Sequence, residues 1–147
     1  MPDENDAPGG VWIGIDFGLK RIGLAKGSTQ LGKAEPLSVM RNTHGTPEWH
    51  TLDAVIQEWQ PVGIVIGLPL DVNGEAQEIT HITRGFGKRC AKRYSIPVMW
   101  MDERYSSIQA TETLAQLRQS GQRTRRTRKE DVDTLAAALI LERWFAR

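Results

Sequence analysis

The chain has 147 residues, 39% of them hydrophobic and 25% charged, with a formal net charge of +1. That is the size and make-up of one soluble globular domain with a substantial core. No apolar stretch approaches the roughly 20 residues of a membrane span, so no membrane partner is expected. The lone cysteine, Cys90, excludes an intrachain disulfide and a multi-cysteine zinc site, and makes a reducing cytoplasm the expected location.

Residues 1–10 carry Asp3, Glu4 and Asp6 with proline and glycine. They read as a flexible lead-in to a single domain over 11–147, not as a signal peptide, which would be basic and then apolar. Three strand-like segments follow, Val11–Phe17, Arg21–Gly27 and Lys33–Val39, spaced closely enough for an antiparallel meander. Pro47–Gln60 predicts a helix with Trp49, Leu52, Val55, Ile56 and Trp59 at helical spacing, stopped by Pro61. Val62–Ile66 reads as a short buried strand leading into Gly67-Leu68-Pro69-Leu70 and a polar loop through Gly74.

A second helix is predicted over Glu75–Tyr94, with Ile79, Ile82, Phe86 and Cys90 inward, and then a strand over Pro97–Met101. Ser106–Gln119 predicts a helix, Ser120–Thr127 a mobile basic loop, and Arg128–Phe145 the last helix. Thr127 and Glu130 have capping-box spacing at its start, and Val132, Leu135, Ala136, Leu139 and Ile140 form its apolar stripe. The order predicts an α/β fold: a mixed five-stranded sheet, an antiparallel three-strand meander plus two parallel strands, with helices on both faces.

Asp16 stands at the end of the apolar run Val11-Trp12-Ile13-Gly14-Ile15. A charge there is costly unless it is paired or holds a metal, although Asp and Gly also simply favour turns. Asp102 and Glu103 end a later strand, and Asp131 and Asp133 begin the last helix. If the later strand lies beside the first, its acid can approach Asp16. Strand alternation lets only one of Asp102 and Glu103 share the Asp16 face, and does not say which. Asp131 fits a favourable charge at a helix N-terminus. Asp133 lies on the edge shared by Ala137 and Ile140, where a small residue permits close approach to a sheet. Converging carboxylates repel one another; Mg²⁺ or Mn²⁺, which prefer oxygen ligands, relieve this, and a pair of ions about 4 Å apart serves phosphodiester hydrolysis.

Two basic clusters, Arg84, Lys88, Arg89, Lys92 and Arg93, then Arg118, Arg123, Arg125, Arg126, Arg128 and Lys129, are either solvated surface or a footprint for a polyanion. His44, His50 and His81 read as surface residues, Cys90 and the tryptophans as core.

Together these residues resemble the YqgF/RuvX family of RNase H-like nucleases. The resemblance rests on Ile15-Asp16-Phe17-Gly18 with Lys20-Arg21-Ile22-Gly23, Gly67-Leu68-Pro69-Leu70 with Gly74, Asp102-Glu103-Arg104, and Lys129 with Val132-Asp133 and Ala136-Ala137. It covers the chain from about Val11 to Phe145, four motifs in order, and implies an RNase H-like fold. Members are described as Holliday-junction resolvases and as nucleases maturing the 5′ end of 16S ribosomal RNA. The implied catalytic residues and metal ligands are Asp16, Glu103 and Asp133, around a two-metal Mg²⁺ or Mn²⁺ site. The implied partner is structured RNA (precursor 16S rRNA) or branched DNA. Lys20, Arg21 and Arg104, beside those ligands, are candidate phosphate contacts, and Arg123, Arg125, Arg126 and Arg128 a candidate clamp on the nucleic acid. Symmetrical cutting of a junction needs two active sites, so that substrate would call for a homodimer. The chain departs from the family pattern at Asp131, where a basic residue or glycine is common, and at Tyr105-Ser106-Ser107.

Two rivals stand beside this reading. Ile13-Gly14-Ile15-Asp16-Phe17-Gly18 also looks like the first phosphate loop of the actin/sugar-kinase/Hsp70 ATPases, but those enzymes close two such domains around a nucleotide. A non-catalytic RNA-binding module of the same fold is the other.

Overall fold

The computed structural model describes residues 10–43, 45–71, 73–102, 112–117 and 129–147. In chain order it has β1 (Val11–Asp16), β2 (Arg21–Ser28), β3 (Lys33–Thr43), β4 (Thr46–Pro47), α1 (Trp49–Trp59), β5 (Gly63–Leu68), α2 (Glu78–Tyr94), β6 (Val98–Asp102), a helical segment α3 (112–117) and α4 (Lys129–Ala146). The sheet order is β4-β3-β2-β1-β5-β6. Strands β1 to β4 are antiparallel in succession, while β5 and β6 run parallel to β1. The expected meander plus two parallel strands is present, with one addition. The two-residue β4 makes six strands instead of five, because Pro47 pairs with Asn42 before the helix starts at Trp49.

Strand β1 sits in the middle and is buried on both faces, as the parallel β5 beside it requires. Ile13, Ile15 and Phe17 point to one face, where Leu52 and Val55 of α1 and Phe86 and Cys90 of α2 cover them. Trp12 points to the other, against Val65 and against Ile140, Leu141 and Trp144 of α4. Burying one such aliphatic or aromatic side chain is worth about 1.5–3 kcal/mol, so both helical layers are held chiefly by this core.

Helix α1 ends where its sequence says it must. Gln60 adopts φ 46° and ψ 58° and donates its N–H to the Ile56 carbonyl, after which Pro61 cannot continue the helix. Helix α2 begins later than expected, because Asp71 Oδ1 accepts from the N–H groups of Asn73 and Glu75 and holds that stretch in a loop. Gln77 and Thr80 then form a reciprocal cap. The inward phase of α2 also differs: Ile82 is 37% exposed, while Thr80 and Thr83 are buried. The Thr83 hydroxyl donates to the Ile79 carbonyl at 2.7 Å, and the Thr80 hydroxyl to the Pro69 carbonyl, which hides their polarity. Helices α1 and α2 are tied together by Asp53, which accepts two hydrogen bonds from Arg93 (2.8 and 2.6 Å) and one from the Tyr94 hydroxyl (2.7 Å).

Candidate active site

Alternation along β1 sends Trp12, Gly14 and Asp16 to the α4 face. Asp16 ends the strand 9% exposed. Its partner on β2 is Gly23. A Cβ on Gly23 would lie 2.1 Å from the Asp133 carbonyl oxygen, and one on Gly14 would lie 2.6 Å from that of Ala137. Two glycines on neighbouring strands therefore let α4 rest directly on the sheet. Asp133 is laid over the strand partner of Asp16. Ala137, one turn on, makes the close approach for which its small side chain is suited.

Arg21 lies two residues before Gly23 on the same face of β2. Its Nε donates to Asp133 Oδ2 at 2.7 Å, with the two side chains 31% and 18% exposed. The turn from Asp16 to Arg21 is tight: a Cβ on Gly18 would meet the Arg21 carbonyl at 2.4 Å. Asn42 of β3, only 4% exposed, fastens this turn. Its Nδ2 donates to the Gly18 carbonyl and its backbone N–H to the Lys20 carbonyl, each at 3.0 Å. Asn42 was not among the sequence candidates. Its one signal is a polar side chain in the inward phase of β3, two residues after buried Met40.

Strand β6 does not lie beside β1, since β5 intervenes. Its last residue, Asp102, pairs with Leu68. Met99 and Met101 pack on the α4 side and Val98 and Trp100 on the other, so the pleat puts Asp102 on the face opposite Asp16. Its carbonyl accepts from Arg143 Nη1 at 3.4 Å. Asp131 lines a groove formed with Pro36, Leu37, Ser38, Val39 and α3. Lys20 is exposed at the turn. Glu103, Arg104, Arg123, Arg125, Arg126 and Arg128 lie outside the described residues, as does Thr127.

The first basic cluster belongs to the α1–α2 layer. Arg84 stacks over Trp100 at 5.6 Å, Arg89 over Trp49 at 5.6 Å, and Arg93 over Trp49 at 5.1 Å while pairing with Asp53. Burial pushes the Cys90 thiol up to about 12, so it supplies no thiolate nucleophile. The described part of the site thus offers hard oxygen donors, Asp16 and Asp133, with one guanidinium beside them. Among the described residues no group of three His, Cys, Asp or Glu side chains gathers for a metal.

A central strand ending in one acid, with a second acid brought over its neighbour by the last helix, is set in a sheet of RNase H-like fold. The same fold occurs in RuvC of Thermus thermophilus in complex with a Holliday junction substrate (TM-score 0.54, 18% identity, 92% of this chain and 93% of that one). It occurs also in the yeast mitochondrial Holliday junction resolvase Ydc2 (TM-score 0.51, 12% identity, 96% and 81%). The chain belongs to the RuvX family, described as Holliday junction resolvase, which matches residues 10–147. Relatives named "Putative pre-16S rRNA nuclease" include one from Pseudomonas aeruginosa, 41% identical over 143 residues (97% of this chain, 96% of the relative). Another, from Legionella pneumophila, is 40% identical over 138 residues (94% and 96%).

Proposed function

We propose that this chain is a metal-dependent endonuclease of structured RNA that processes the 5′ end of precursor 16S rRNA. The observation that carries the reading is the seating of Asp133 over Gly23, the strand partner of Asp16. Two acids from opposite ends of the chain are thereby delivered to one end of the central strand. The relatives' name supplies the substrate class.

The donor set fits a hard divalent cation: oxygen ligands, one of them on a nearly buried strand end. Asp16, Asp133 and Glu103 would hold Mg²⁺ or Mn²⁺; with Asp102 on the opposite face, Glu103 is the remaining acid of its pair. When bound, the metal supplies an activated water and charge stabilisation for the leaving 3′ oxygen. The chain's own groups do the rest. Lys20, Arg21 and Arg104 hold the phosphate beside the carboxylates. Arg123, Arg125, Arg126 and Arg128 add affinity that is salt-dependent and blind to sequence. Hydrolysis leaves a 5′ phosphate and a 3′ hydroxyl.

Labelled precursor 16S RNA and a mobile four-way DNA junction, each with Mg²⁺ or Mn²⁺, test this with wild type and Asp16→Asn. Metal-dependent cutting of the RNA, lost in the variant while binding persists, is the expected result. Cutting of the junction alone would make the chain a resolvase. Binding without cutting of either under both metals would make it a binding module.

A further inference from the structure

The end of the sheet beyond the carboxylates carries a second feature. Leu19, Lys20, Arg41, Asn42, Thr43 and Gly45 line an open groove of about 500 Å³, with no acidic side chain in it among the described residues. Arg41 is the β3 partner of Arg21. Residues directly opposite in an antiparallel pair project to the same face, and the neighbouring pair, Ile22 and Met40, is buried together in the opposite core. Arg41 therefore shares the face of Arg21, Gly23, Asp16 and Asp133. Unlike Arg21, its guanidinium makes no hydrogen bond or ion pair among the described residues, and the same is true of the Lys20 ammonium.

These two cations, without partners among the described residues, flank a groove beside the proposed carboxylate site. Asn42 forms the link between them: it lines the groove and donates to Gly18, in the turn that follows Asp16. A strand lying in the groove is thus registered against Asp16 through one buried amide.

We propose that this groove is a substrate subsite in which Arg41, together with the Thr43 hydroxyl, grips a phosphodiester of the RNA strand away from the one that Lys20 helps to hold for cutting. The proposal rests on the nuclease reading for its substrate, but its test does not require cleavage. Binding of labelled precursor 16S RNA is measured as a function of KCl, in Ca²⁺, for wild type, Arg41→Ala, Arg41→Lys and Lys88→Ala. Lys88 is an exposed residue of α2, on the far side of the sheet.

Loss of one phosphate contact should weaken binding by Arg41→Ala roughly fivefold near 0.1 M salt and flatten the slope of log K against log salt by about 0.7 to 1. Arg41→Lys should keep the wild-type slope, and Lys88→Ala should match wild type. An unchanged slope and affinity in Arg41→Ala overturns the subsite while leaving the nuclease intact, whereas failure of the wild type to bind the RNA overturns the subsite and the RNA-nuclease reading together. The expected slopes from a wild type that never cleaves in Mg²⁺ or Mn²⁺ would uphold the subsite and overturn the nuclease.

Discussion

Arg21 and Asp133, 112 residues apart in sequence, meet as a partly buried ion pair at 2.7 Å next to the strand partner of Asp16. The guanidinium neutralises part of the negative charge that α4 brings down onto the sheet, in the place where a divalent cation would do the same. With Asp133 as a proposed metal ligand, arginine and metal would compete for one carboxylate. Arg21→Ala should lower stability in EDTA by about 1–3 kcal/mol, since it leaves a carboxylate unpaired. The same variant should bind Mg²⁺ more tightly than wild type. Thermal melts over a Mg²⁺ series check both: the variant starts lower and rises further. Equal shifts in the two proteins would show that Arg21 does not oppose the metal.

Glycine at 23 is a spatial requirement, because its Cβ would strike the Asp133 carbonyl at 2.1 Å, and helix backbone cannot yield as a side-chain tip can. Gly23→Ala should cost about 1–3 kcal/mol by overpacking and should reduce cleavage further than the stability loss explains, since it pushes Asp133 away from Asp16. Gly85→Ala is the internal contrast. That position, exposed in α2, has nothing within 4 Å of a Cβ, so the change should stabilise by about 0.5–1 kcal/mol. Melting temperatures of the two variants should move in opposite directions.

The hydrogen bond from Arg93, with the Tyr94 hydroxyl and the Arg93 charge adding to it, holds Asp53 down at about 2 from its ordinary 3.8. A carboxyl whose pKa is depressed on folding contributes stability above its unfolded pKa and loses it as pH falls through the folded one. Asp53 therefore supports the α1–α2 contact fully above about pH 4 and loses that role towards pH 2. Asp53→Asn should flatten this part of the stability–pH curve, measured by urea unfolding at successive pH values. Because the pair is largely solvent-exposed, the change should be small in size.

Cys90 runs the opposite way. Burial raises its pKa to about 12 from 9.0, so the folded chain keeps a proton that the unfolded chain releases, and stability falls as pH rises above about 9. At pH 8 iodoacetamide should modify Cys90 at the rate of global opening, and far faster in denaturant. Rapid labelling of the native protein would show that α2 opens locally.

Asn42→Ala removes the donor to Gly18 and should cost about 0.5–1.5 kcal/mol. The larger effect should fall on turnover, because the turn after Asp16 loses its fastening. Comparing kcat with KM separates this from weakened substrate binding.

Much of this architecture was legible in the sequence because periodicity is local. The apolar alternation of Ile13, Ile15 and Phe17, and the helical spacing of Leu52 and Val55, are visible without knowing what they touch. Strand β4 was not legible: Pro47 reads as a first-turn helix proline, and only its pairing with Asn42 reveals a strand. The inward threonines of α2 were hidden too, since polarity predicts exposure and their bonds to Ile79 and Pro69 are long-range or structural facts. At the site, Asp16 announced itself as a charge ending a buried run. Between Asp131 and Asp133, the residues alone left the choice open, and the family resemblance named Asp133. What brings Asp133 to Asp16 is a missing Cβ at Gly23, more than a hundred residues away. The Asp102 face was likewise undecided until β5 appeared between β1 and β6 with Met99 and Met101 towards α4.

The first strand and the last helix share one site, and this has a consequence for synthesis. Asp16 leaves the ribosome 117 residues ahead of Asp133, and α4 must be free over its length to Ala146 before it can lie across β1 and β2. A nascent or prematurely terminated chain holds the first acid without the second. With Asp16 and Asp133 as proposed ligands of one site, hydrolytic competence is withheld from the nascent chain until α4 has been made and has docked on β1 and β2.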